Sequence, residues 1–138
     1  MLVPRKVKHR KIQRGDQIRG LAQRKNTVAF GDAGLKAMTA NWVTSRQIES
    51  ARRAMTHYVQ RGGKIWIRIF PDKSVSHKGL GVRMGGGKGA VDHYVCPVKP
   101  GTVMFEIGGI APAQAKRALQ LASYKLPMPC KIVYRLTK

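Results

Sequence analysis

Acid is what this chain has least of. Six Asp and Glu stand against 27 Lys and Arg in 138 residues, a formal net charge of +21. A balance so one-sided works against compaction of the isolated chain and favours polyanions, either nucleic acid or an anionic membrane surface. The carboxylates Asp16, Asp32, Glu49, Asp72, Asp92 and Glu106 are scattered, and none pairs locally with another for acid–base work. Cysteine is scarce too. Cys96 and Cys130 fit no CxxC pattern and are expected to be small buried apolar residues in a reducing compartment. No apolar run approaches the ~20 residues of a membrane span, and the first residues lack the apolar segment of a secretory signal. No GxSxG nucleophile motif occurs. His9, His57, His77 and His93 are dispersed. His93 and Cys96 could both ligate zinc, but without a second ligand pair a strand histidine beside a core cysteine is the simpler reading. Neither a catalytic residue nor a metal or cofactor is expected.

What is present is a hydrophobic fraction of 43%, too high for a disordered basic tail and suited to one folded domain in a cationic coat. The first block, residues 1–25, carries Arg5, Lys6, Lys8, Arg10, Lys11, Arg14 and Arg19 against the single acid Asp16. With so few apolar residues it reads as an extended basic arm. It contains no serine, unlike a mitochondrial presequence. Residues 26–138 then form a single domain.

Within that domain, 27–30 (TVAF) predicts a short strand and 31–34 a turn. Residues 35–43 read as a connecting segment with Leu35, Met38 and Trp42 turned inward. Thr44 and Gln47 have capping-box spacing, opening a helix that Gly62-Gly63 ends. Its inner stripe is Ile48, Ala51, Met55, Tyr58 and Val59, while Arg46, Arg53, His57 and Arg61 lie opposite. Ile65, Ile67 and Ile69 alternate with Lys64, Trp66, Arg68 and Phe70 as a strand with one buried side, ended by Pro71. Trp66 and Phe70 could stack on bases or pack beneath another element. Residues 91–98 and 102–107 read as a hairpin turned at Lys99-Pro100-Gly101, with Pro97 at an edge or a strand end. A second helix over 111–125 has Ala115, Ala118, Leu119 and Ala122 inside, and 130–136 alternate as a last strand. The expected fold is α+β, a mostly antiparallel sheet with two helices on one face.

Between these elements, residues 72–90 show no hydrophobic period. They hold Gly79, Gly81, Gly85, Gly86, Gly87 and Gly89 with the cations Lys73, Lys78, Arg83 and Lys88. So long a loop in a small domain points to function. Glycines let the backbone approach a ligand, and the cations make that ligand anionic. The stretch fails as a phosphate-binding P-loop: Gly87-Lys88 is followed by Gly89, and Val82 stands where the first glycine is needed. Gly85-x-Gly87-x-x-Ala90 matches a dinucleotide fingerprint by letter, but a strand rather than a helix follows. Cations on the arm, the helix and the loop suit a large folded RNA better than a small ligand.

Seven blocks together resemble a known family: PRKVKHRK at 4–11, FGDAGLKA at 30–37, SRQIESARRAMT at 45–56, RGGKIWIRIFPDK at 61–73, VRMGGGKG at 82–89, VKPGTVMFEIGG at 98–109 and KLP at 125–127. In collinear order over nearly the whole chain they are similar to the bacterial-type large-subunit ribosomal protein L-sixteen. The resemblance implies an α/β-hammerhead-like fold and no enzyme activity. It implies a place on large-subunit rRNA near the peptidyl transferase centre and the A-site tRNA, with the P-site tRNA as an alternative neighbour, and a role in late subunit assembly. Other large-subunit proteins would be partners, in a bacterial or organellar ribosome. The rRNA would be held by the arm cations together with Arg46, Arg53, Arg61, Lys64, Arg68 and Lys73. The loop residues Lys78, Arg83, Met84, Gly85, Gly87, Lys88 and Gly89 would lie near the tRNA. The chain departs from the family pattern at His9, Ser74 and Gly86, the last leaving one loop cation fewer. The competing reading is a free-standing RNA-binding regulator or chaperone.

Overall fold

The computed structural model describes residues 1–15, 18–60 and 62–136. The order of elements is β1 (Ala33–Ala37), β2 (Asn41–Thr44), α1 (Ser45–Tyr58), β3 (Lys64–Ile67), β4 (Lys73–His77), β5 (Ala90–Val98), β6 (Val103–Gly108), α2 (Pro112–Ser123) and β7 (Cys130–Tyr134). The strands divide between a four-stranded sheet ordered β3-β6-β1-β7 and a three-stranded sheet ordered β2-β5-β4. All of these pairings are antiparallel. The fold is α+β.

Strand alternation explains the core. Ile65 and Ile67 stand opposite Ile107 and Phe105, which stand opposite Ala33 and Leu35, with Ile132 and Cys130 opposite Leu35 and Ala37. These residues share one face of the larger sheet. Ile48, Ala51 and Met55 of α1 and Ala115, Ala118, Leu119 and Ala122 of α2 are buried in the same cluster. The small side chains of α2 let it lie close to the strands. At the start of α1 the Thr44 hydroxyl accepts from the Gln47 N–H at 3.3 Å, and the Gln47 side chain accepts from the Thr44 N–H at 2.9 Å. The capping box predicted from sequence is formed.

The opposite face of the larger sheet holds Glu106, which is wholly buried. Its carboxylate accepts from the N–H groups of Ala29 at 3.2 Å, Phe30 at 2.7 Å and Gly31 at 2.9 Å. The Arg68 guanidinium lies 2.6 Å from it and also donates to the Thr27 carbonyl at 2.6 Å. Burial is the strongest single influence on this carboxyl and acts upward. The N–H donors of Gly31, Phe30 and Ala29 and the Arg68 contact together outweigh it, so the group is held below the usual carboxylate range. A side chain on Gly31 would place Cβ 2.6 Å from the Ile107 carbonyl oxygen, so only glycine lets this segment lie flat on β6. With helices on one face and residues 25–31 on the other, all six residues of β6 are buried.

Several expectations need correction. Residues 27–30 form no strand; the N–H groups of Ala29 and Phe30 go to Glu106 rather than to a ladder. Residues 35–43, read as a connector, contain most of β1 and most of β2. Met38 is 49% exposed because it lies between the two strands, and Trp42, inside β2, is only half-buried. Strand β3 ends at Ile67. The run from Asp72 is not all loop: Lys73–His77 is β4, a half-buried strand whose single buried member, Ser74, is polar. The predicted hairpin of 91–98 and 102–107 does not exist. Its two strands lie in different sheets, and Lys99-Pro100-Gly101 carries the chain across. Pro97 sits near the end of β5, beyond the reach of β4, where its missing N–H costs little. Tyr58, placed in the inner stripe of α1, is exposed.

Replacing Glu106 by Gln leaves the Arg68 charge without its partner and should cost about 3 kcal/mol of folding stability in denaturant titrations. The carboxyl is depressed in the folded state, so its stabilising share is complete above the unfolded value of about 4.3 and is lost as pH falls through the lower folded value. Stability of the Gln variant should therefore vary less with pH in that acid window.

Candidate nucleic-acid interface

Strands β4 and β5 pair from Lys73 opposite Val95 to His77 opposite Ala90, so the glycine-rich stretch is the tip, 78–89, of a long hairpin. Gly81, Gly85, Gly86 and Gly87 take positive φ there. The Lys78 amine donates to the carbonyl of Gly85 at 2.8 Å and folds the tip on itself. Leu80, Val82 and Met84 are exposed at its end, and Arg83 has no side-chain hydrogen bond or ion pair among the described residues. The neck is tight: a Cβ on Gly89 would lie 2.6 Å from the His77 carbonyl oxygen.

The arm meets this hairpin at its neck. The Lys11 amine donates to the Lys88 carbonyl at 2.8 Å, and the Lys88 amine donates back to the Ile12 carbonyl. The Lys73 amine donates to the Arg14 carbonyl at 2.6 Å and lies 4.7 Å above the Trp42 ring. Residues 11–15 thus lie across β2 and β4. Among the described residues each of these lysines is held by a carbonyl and none by a carboxylate. Arg5, Lys6, Lys8, Arg10 and Arg19 are exposed.

On α1, Arg46, Arg53 and His57 face solvent. Glu49 holds Arg52 at 2.6 Å and Arg53 at 3.1 Å. The hydrogen bond from Arg52, opposed by burial and aided by Arg53, keeps the Glu49 carboxyl at about 2. Arg52 was not singled out from sequence, yet with Arg53, Thr56, His57 and Gln60 it lines a shallow recess of about 590 Å³. Its spacing of three from Glu49 is the signal that could have found it. Arg61 lies outside the described residues. Lys64 is exposed and stands 5.4 Å over the Trp66 ring. Arg68 is only 13% exposed and its charge is matched internally by Glu106. The structure therefore joins Lys11, Arg14, Lys73 and Lys88 into one group. Among the described residues, no hydrogen bond or ion pair links Arg46, Arg53 or Lys64 to it.

Other chemistry is poorly supported. Alternation along β5 puts His93 and Cys96 on opposite faces, and the His93 ring is engaged by Asp92 at 2.7 Å. Burial raises both thiols, Cys130 to about 11, which leaves them protonated and weakly reactive. Among the described residues there is no metal-ligating cluster, and no helix is long and apolar enough to cross a membrane.

A packed α+β scaffold that turns unneutralised cations outward on an arm, a helix and a hairpin is the design of a polyanion-binding protein. The family model for ribosomal protein L16p/L10e matches residues 4–133, and the chain belongs to that family. It is 58% identical to the large ribosomal subunit protein uL16 of Oenococcus oeni over 96% of this chain and 92% of that one. It is 58% identical to the uL16 of Leuconostoc citreum over 98% of both. With the uL16 of Limosilactobacillus reuteri the identity is 57%, over 98% of this chain and 93% of the relative.

Gly89→Ala should push the hairpin neck apart while leaving the larger sheet intact. Amide exchange at 90–93 should speed up relative to wild type, with exchange in β6 unchanged.

Proposed function

We propose that this protein is a structural constituent of the large ribosomal subunit, that it binds large-subunit rRNA beside neighbouring ribosomal proteins, and that it has no enzyme activity of its own. The supporting observation is the pairing of kinship to uL16 proteins over nearly the whole chain with lysines at the arm and hairpin whose partners, among the described residues, are carbonyl oxygens. Phosphate oxygens would complete what those carbonyls begin, and guanidinium groups suit them. In this reading Arg5, Lys6, Lys8, Arg10, Lys11, Arg14 and Arg19 hold rRNA from the arm, with Arg46, Arg53 and Arg61 on the helix and Lys64 and Lys73 on the sheets. Arg68 takes part only through its internal pairing. The tip, with Lys78, Arg83, Met84 and Lys88, reaches toward A-site tRNA near the peptidyl transferase centre. Its exposure and the family resemblance support that placement. Residues 1–25 act as the arm and 26–138 as the body that carries it.

Three measurements test this. On sucrose gradients the protein should travel stoichiometrically with the large subunit through a moderate salt wash; a pool found mainly off ribosomes would favour a free-standing regulator or chaperone. A chain shortened by residues 79–88 should melt near the wild-type temperature but impair subunit maturation or tRNA placement, and normal subunit profiles would count against the tip's role. In direct binding to large-subunit rRNA fragments, log K should fall linearly with log salt. Arg14→Ala should lower that slope by about one with thermal stability unchanged.

A further inference from the structure

We infer that Phe30, set beside Trp66 on the outer face of the larger sheet, is a stacking platform for one unpaired base of RNA. The inference rests on the RNA-binding reading above and adds a site to it. Phe30 is 59% exposed, yet the backbone beneath it is fixed, since the N–H groups of Ala29, Phe30 and Gly31 all end on Glu106. Its ring lies 6.3 Å from that of Trp66 at an interplanar angle of 21°. The Arg68 guanidinium stands 5.4 Å from the Phe30 ring, and the Lys64 amine 5.4 Å from the Trp66 ring. The order of contacts is therefore cation, aromatic, aromatic, cation, with Lys64 exposed and Arg68 largely buried at the two ends.

An aromatic ring left open to water on a rigid support adds little to the fold, but it offers a partner a flat face already in place. Such preorganisation lowers the cost of binding. The charge around the rings selects the partner. Lys64 is exposed, and the Lys25 amine, donating to the Arg68 carbonyl at 3.2 Å, adds a second cation at the other end. Glu106 is buried beneath and matched by Arg68, and Asp32 is engaged by the Gly109 N–H at 3.1 Å. An apolar protein partner would have to desolvate the flanking lysines. A nucleotide places its base on the ring and its phosphate beside an amine. Every base has a π-face, so the platform should tolerate sequence.

The test uses the full chain with Trp42→Phe, which leaves Trp66 as the sole tryptophan. It is titrated at low salt with a short oligoadenylate and with an abasic ribose-phosphate strand of the same length. The base-bearing strand should bind about tenfold more tightly and quench Trp66 emission, while the abasic strand should bind without quenching. Phe30→Ala should close that gap, Phe30→Tyr should preserve it, and both should melt near the parent temperature because the ring is exposed. Equal affinity for the two strands, or a base preference that survives Phe30→Ala, overturns the platform while leaving phosphate binding standing. Failure of both strands to bind overturns the RNA-binding reading itself, and the platform with it.

Discussion

The carboxylate of Glu106 decides where the amino-terminal part of the chain can run. A buried charge in a sheet needs its full set of donors, and β6 neighbours alone cannot supply them because their N–H groups belong to ladders. The donors come from 29–31 and from Arg68. That requirement straps residues 25–31 across the sheet, with the Val103 N–H donating to the Lys25 carbonyl at 2.7 Å. The preceding stretch is tied at Ala22 to the Pro100 carbonyl at 2.9 Å. Nearer the amino terminus, Lys11 and Ile12 meet the hairpin neck. In a chain with six acids, one is spent on routing a basic segment.

The same shortage of acids shapes the surface. A cation on an ordinary soluble domain usually has an opposite charge nearby. Here Glu49 serves two arginines, and Lys11, Lys73, Lys78 and Lys88 turn to backbone oxygens. A carbonyl dipole orients an ammonium without neutralising it, so the field at the hairpin remains strongly positive. The contacts fix shape, and the charge stays available for an external anion.

What the sequence made legible followed from local rules. The capping box at Thr44 and Gln47, the alanine face of α2 and the alternation of Ile65 and Ile67 each depend on residues a few positions apart, and each was formed as read. The failures were all tertiary. Val91 to Ile107 has the pattern of a hairpin, but which sheet a strand joins depends on partners elsewhere in the chain, and β5 found β2 and β4 instead. TVAF has strand propensity, yet the buried carboxylate of Glu106, 76 residues beyond Phe30, took the N–H groups of Ala29 and Phe30. Strand β4 was hidden because Lys73, Ser74 and Ser76 carry no hydrophobic period; pairing with β5 supplies what the side chains do not. At the site, the types of residue could be read as cationic and flexible. That Arg68 would turn inward, that Phe30 would stay outside, and that Lys11 and Lys88 would exchange hydrogen bonds could not, because each depends on where a distant backbone passes.

That exchange bears on how the protein could work. The hairpin is paired as a ladder up to its neck, where Gly89 allows no side chain, and beyond it glycines occupy a left-handed backbone. The arm is held by Lys11 and Lys88 at that neck and by Lys73 at the other end of β4. Arm and tip thus meet at one paired sheet edge. Fixing the arm removes freedom from residues that border the tip, so part of the ordering cost of the tip is met before a ligand arrives there. An isolated flexible loop would bear that cost alone, and a rigid spike would be unable to follow a partner's shape. Joining both segments at a tight sheet edge limits how far the tip can wander while leaving its end free to conform.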